Sequence, residues 1–186
     1  MSDLIFDEYI RITLPEEYPY VILVAGIIAF EVILVGFLGP GVARGIIFSK
    51  QFMEENFGRM IMDDPVMQQT DTRNLKGGYP DTGSGVYADK LTYEQWFTWN
   101  KSNRGHLNFL ETVTIVCFMV LVTGIEMPWT AITLGSIYGA FRPLFFLKNR
   151  LFGFIPGVLC TFMLFGTSLY TCMTAWYALQ DIKDAK

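Results

Sequence analysis

Charge, histidine and cysteine are all scarce in this chain of 186 residues. Only 17% of its residues are charged, against about 25% in an ordinary soluble domain, so the sequence is poorly equipped to face water on all sides. One His and three Cys are too few for a multi-ligand zinc site or a disulfide-dense secreted scaffold, and no metal is expected. Lys and Arg total 14 against 18 Asp and Glu, a net charge of −4 with no basic tail, so no nucleic-acid partner is expected. The 8 Pro and 17 Gly are scattered, which excludes collagen-like and low-complexity chains. What is plentiful is apolar surface: 52% of the residues are hydrophobic and the mean hydropathy is +0.34. Length and composition together predict one all-α domain embedded in a membrane, in contact with lipid.

A helix crossing the hydrocarbon core needs about 20 apolar residues. Four segments meet that length, about 18–38, 107–125, 129–147 and 152–179, which predicts a multi-pass bundle of four helices running up and down. Gly39-Pro40, Met127-Pro128 and the Lys148–Arg150 cluster mark the expected breaks between them. Residues 1–17 form an acidic N-terminal extension with five acids and one Arg, unlike a secretory or mitochondrial leader, and 180–186 form a short tail. Nine Lys and Arg fall on the side of the 1–2 and 3–4 loops and three on the side of the termini. The loops are therefore expected on the cytoplasmic or matrix side.

The connection over 51–100 is long for a compact bundle, and such connections are usually functional. It carries a Gly- and Asp-rich run, GGYPDTGSGVYADK, and then Tyr93, Trp96, Phe97 and Trp99, aromatics suited to the headgroup level. No Gly-Lys-Ser/Thr follows the glycines, so they do not form a phosphate loop.

Candidate chemistry concentrates at the head of the second span, in Asn100, Asn103, Arg104, His106, Asn108 and Glu111. On a helix Arg104, Asn108 and Glu111 share one face, and ionisable groups at membrane depth face a bundle interior or a cavity. Two readings of the residues stand side by side: an interhelical polar network in which Arg104 and Glu111 neutralise each other, or a pocket for a small zwitterionic or anionic ligand. Glu31, alone in the first span, reads as a packing partner, with Arg104 as a candidate for the other side. Cys117, Cys160 and Cys172 read as small apolar residues. Gly135-x-x-x-Gly139 and Gly153-x-x-x-Gly157 permit close helix approach, within the bundle or between copies.

The run from Trp99 to Glu111, WNKSNRGHLNFLE, resembles the signature of the MAPEG family, the membrane-associated proteins of eicosanoid and glutathione metabolism. The match lies at Trp99, Asn100, Arg104, His106, Asn108 and Glu111; Asn103 stands where Gln is usual and Gly105 where Ala is usual. The resemblance implies a four-helix bundle assembled as a homotrimer, with glutathione bound as substrate between subunits. It gives Arg104 the role of clamping a glutathione carboxylate, with Asn108 beside it and Glu111 taking the ammonium; Asn100 and His106 would support them. Arg142 would lend positive field, because a thiol becomes nucleophilic as thiolate.

Catalytic relatives carry Arg-x-x-Tyr-x-x-x-Tyr on the third helix. Here Arg142 is followed by Phe145 and Asn149 at the tyrosine places, and Phe offers no hydrogen bond. Lys148 and Arg150 are the remaining cations near the fourth span. The catalytic residues are thus unassigned. These departures favour a non-catalytic accessory subunit of a larger membrane complex, held by other membrane proteins or by copies of itself. The alternative is an active glutathione transferase or peroxidase acting on lipophilic substrates. A carrier is disfavoured, since no internal repeat is present.

Overall fold

In the computed structural model, which describes residues 13–63, 81–146 and 151–184, every regular element among the described residues is helical. The first is a 30-residue rod, Tyr18–Ile47. It comprises α1 (Tyr18–Gly36), a π-helical turn (Phe37–Gly41) and α2 (Val42–Ile47). Then come α3 (Lys50–Asp63), a 3-10 turn (Ala88–Lys90), α4 (Tyr93–Thr123), α5 (Pro128–Phe141), a 3-10 stretch (Arg142–Phe146) and α6 (Leu151–Asp184). Three of these, Tyr18–Ile47, Tyr93–Thr123 and Leu151–Asp184, are long and apolar enough to cross a membrane. Their exposed surface carries large apolar side chains such as Phe30, Phe118 and Phe162, the expected exterior of an integral membrane protein. The third expected span, 129–147, contains a 14-residue α-helix that tightens into the 3-10 stretch.

The helix boundaries have local causes. Pro19 near the start of α1 and Pro128 at the start of α5 occupy first-turn positions, where the missing N–H costs nothing. A capping box starts α4: Gln95 N–H donates to Thr92 Oγ1 at 3.4 Å, and Thr92 N–H donates to Gln95 Oε1 at 3.0 Å. With no breaker before Gly124, α4 runs 31 residues and begins well before the apolar stretch at Leu107.

The expected break at Gly39-Pro40 does not occur. Pro40 cannot donate to the preceding turn and its ring crowds the carbonyl four residues back. The helix absorbs this by widening into a π turn over Phe37–Gly41. Gly41 eases the widening, because a Cβ there would lie 3.2 Å from the Gly36 carbonyl oxygen, closer than an ordinary contact.

Two cores result. In the main one, α1 packs on α4 and α5, and α6 packs on α4 and α5. Its α1 residues Val21, Ala25, Ile28, Val32 and Val35 repeat at alternating steps of four and three, a seam that meets Phe109, Val113, Val116 and Val120 of α4. Gly135 sets the α1–α5 distance: a Cβ there would sit 2.7 Å from Val24 Cγ1. This small-residue pair therefore acts inside the protomer.

The second core joins the α2 end of the first rod to the head of α4. Phe48 is fully buried, edge-on to Trp99 with ring centroids 5.3 Å apart, and Phe57 stacks on Tyr87 at 4.6 Å. Two indoles tie the segment before α4 to it: Trp96 Nε1 donates to Gly83 O at 2.7 Å and Trp99 Nε1 to Asp81 O at 2.8 Å. The Asp81 carboxylate accepts the backbone N–H groups of Gly83, Tyr87 and Ala88. Part of the long connection thus has structure of its own.

Candidate functional site

The four residues singled out for ligand binding separate into an outer and an inner pair. Arg104 and Glu111 are exposed on α4, whereas Asn108 is half-buried and Arg142 is 6% exposed in the core. Arg104 and Glu111 form no ion pair with each other, and none joins Arg104 to Glu31, among the described residues. The internal-network reading of the outer pair therefore fails within the protomer.

Arg142 is held from three directions. Its Nη2 donates to the Asn108 backbone oxygen and, at 3.3 Å, to Thr112 Oγ1. Its guanidinium carbon lies 5.9 Å from the ring centroids of both Phe109 and Tyr138, which places the cation against two π faces. Thr112 Oγ1 also lies 2.8 Å from the Tyr138 hydroxyl. A cation taken out of water needs such donors, acceptors and rings to offset its desolvation, and no described carboxylate pairs with it.

Thr112 and Tyr138 were not singled out in the sequence. Two spacings pointed to them: Thr112 lies four residues after Asn108, and Tyr138 four before Arg142, so each pair shares a helix face. The family's tyrosine places lie C-terminal to Arg142, whereas Tyr138 lies a turn before it. Asn149, Lys148 and Arg150 lie outside the described residues, as does the side chain of Phe145.

The supporting residues point elsewhere. Asn100 packs on Gly83, whose φ of +114° suits glycine; a Cβ there would lie 3.1 Å from Asn100 Cγ. His106 packs on Gly36, with Nε2 2.9 Å from where a Cβ would be. With Arg44 and Trp99 it lines an open cleft of about 460 Å³ beside the π turn, together with Val32, Ile33 and Phe37. Glu31 faces Gly139, and its Oε2, like Asn103 Nδ2, is buried without a hydrogen-bond partner. Among the described residues no cluster of His, Cys, Asp and Glu suits a metal ion.

Apolar spanning-length helices, packed around a buried arginine and bearing charges on an outer face, define an integral membrane protein of helical type. The MAPEG family model matches residues 68–170, more than half of the chain, and the protein belongs to that family. No curated protein and no solved structure matches the chain.

Proposed function

We propose that this protein is a non-catalytic accessory subunit of a larger membrane complex, with a glutathione site that keeps its binding half and has lost its activating half. One observation carries the reading: Arg142, a cation placed to lower the thiol's pKa, is buried and already donates to Asn108 O and Thr112 Oγ1. Arg104 and Glu111 remain exposed on α4, with the half-buried Asn108 between them, for the tripeptide's carboxylate and ammonium groups. Glu111 lies inside the apolar stretch that begins at Leu107, where a charge facing lipid is costly, so the exposed Arg104 and Glu111 favour an assembly, a trimer by family likeness, in which other subunits and glutathione complete the site.

The arrangement has four spans in one domain over 18–179, flanked by the 1–17 extension and the 180–186 tail. Fourteen residues of α5 rise about 21 Å and the five-residue 3-10 stretch adds about 10 Å, enough for a hydrocarbon core of about 30 Å. The 1–2 and 3–4 loops face the cytoplasm or matrix, in the endoplasmic reticulum or a mitochondrial membrane. The structured segment around Phe48, Tyr87 and Trp99 supports docking by partners on that side.

Extraction from the native membrane in mild detergent tests this. A stoichiometric complex with other subunits, persisting in Arg104→Ala, is expected; homogeneous copies of this chain alone would refute the accessory role. The second reading is a glutathione transferase or peroxidase. It is favoured by the Tyr138 hydroxyl, which stands with Thr112 and Arg142 where a thiol-activating donor is needed. Conjugation of glutathione to a lipophilic electrophile that is lost in Tyr138→Phe would establish it.

A further inference from the structure

The seam between α1 and α5 carries polar groups that hydrocarbon cannot serve. Glu31 is the one charged residue between Tyr18 and Ala43. The Tyr18 hydroxyl bonded to Leu121 O and the exposed Glu126, just past the end of α4, mark one membrane surface. From Tyr18 to Glu31 the helix rises about 20 Å, which stays inside a hydrocarbon core of about 30 Å. The ~20° mean tilt of spanning helices changes this little. The carboxylate lies against α5: a Cβ on Gly139 would be 3.3 Å from its Oε2 and 3.4 Å from its Oε1. Oε2 has no hydrogen-bond partner, and no described cation pairs with the group.

The seam is open to its surroundings. Ile27 and Leu34, one turn to either side of Glu31 on the same face, are 49% and 42% exposed. Ser136 lies three residues before Gly139, on the same side of α5. With Thr133 and Ala140 it forms an exposed face of small side chains, unlike the phenylalanines that α1, α4 and α6 turn outward. In membranes small residues let another helix approach closely, and polar ones bond across the contact. A carboxylate at this depth is costly unless an opposite charge meets it.

We propose that the α1–α5 seam receives a membrane-spanning helix of a partner subunit, one that carries a Lys or Arg at the height of Glu31 and donates to its free carboxylate oxygen. A second copy of this chain does not supply that cation. The one cation within its apolar spans is Arg142, which is buried and bonded to Asn108 and Thr112. Arg104 stands roughly 6 Å nearer the loop-side surface and is assigned above to glutathione. The inference rests on the accessory-subunit reading and adds the chemistry by which a partner is recognised.

The test is photo-crosslinking of the full-length protein in its native membrane, with p-benzoylphenylalanine at position 34 and the adduct peptide sequenced. The expected adduct joins position 34 to a spanning segment of another protein that carries Lys or Arg. Its yield should fall roughly three- to tenfold in Glu31→Gln, with folding checked by circular dichroism. A stoichiometric complex in which position 34 captures only lipid, only this chain, or a segment without a cation would overturn the inference and leave the accessory reading standing. So would an adduct undiminished in Glu31→Gln. Homogeneous copies of the chain alone would overturn both. As a second measure, Glu31→Lys should abolish the adduct, and changing the identified cation of the partner to Glu should restore it; no restoration would overturn the ion pair.

Discussion

Replacing Thr112 with Val removes one hydroxyl at nearly constant shape, and the surroundings of that hydroxyl set the size of the effect. Thr112 Oγ1 lies 2.8 Å from the Tyr138 hydroxyl and accepts from Arg142 Nη2 at 3.3 Å. Tyr138 is 1% exposed, so water cannot replace the lost partner. Leaving a buried donor unsatisfied costs about 1–3 kcal/mol in soluble proteins, whereas hydrogen bonds between membrane helices average about 0.6 and reach about 1.7 kcal/mol. The expectation for Thr112→Val is thus a loss of about 1–2 kcal/mol. Tyr138→Phe should cost less, because the Thr112 hydroxyl keeps the backbone acceptors Asn108 O at 3.1 Å and Phe109 O at 3.2 Å. In the double variant no tyrosine hydroxyl remains to be orphaned, so its loss should fall short of the sum by about 0.5–1.5 kcal/mol. Reversible unfolding in mixed micelles, followed by circular dichroism, measures the cycle. A neutral Thr112→Val, or strict additivity, would refute the coupling of these groups through one buried hydroxyl.

Other expectations follow from single contacts. Gly135→Ala drives a Cβ to 2.7 Å from Val24 Cγ1 where α1 and α5 are both packed; it should destabilise by about 1–3 kcal/mol in the same unfolding assay. Glu31→Gln exchanges a buried carboxylate with an unpartnered Oε2 for a neutral amide, and should leave stability unchanged or raise it by up to about 1 kcal/mol; a marked loss would reveal a partner for that charge. Asp81→Ala removes the acceptor of three backbone N–H groups. Hydrogen exchange over 81–91 should then quicken while α6 stays protected.

Three long apolar helices and the motif were legible because each depends on local sequence. Apolar residues all round a helix announce a bilayer in α1 and α6, and the Thr92–Gln95 capping box is readable from its spacing alone. The π turn was not legible: Gly-Pro reads as a stop, whereas the chain stays helical through Pro40 by widening between the packed Val35 and Ile47. Nor was the cluster around Arg142, since Asn108, Thr112, Tyr138 and Arg142 come from two segments whose rotation about their axes sequence does not give. The aromatics before the second span read as headgroup anchors. The fold places Trp99 in a buried core instead and leaves Tyr93 and Phe97 outside it.

On the proposed reading, α4 binds glutathione and Arg142, committed to Asn108 and Thr112, does not activate it. Titration calorimetry on the detergent-purified protein, read together with thiolate absorbance, tests both halves in one sample, with Arg104→Ala alongside. Binding that is abolished in Arg104→Ala, with no thiolate signal near neutral pH, is the predicted result. Thiolate formation on binding, or binding indifferent to Arg104, would contradict the account.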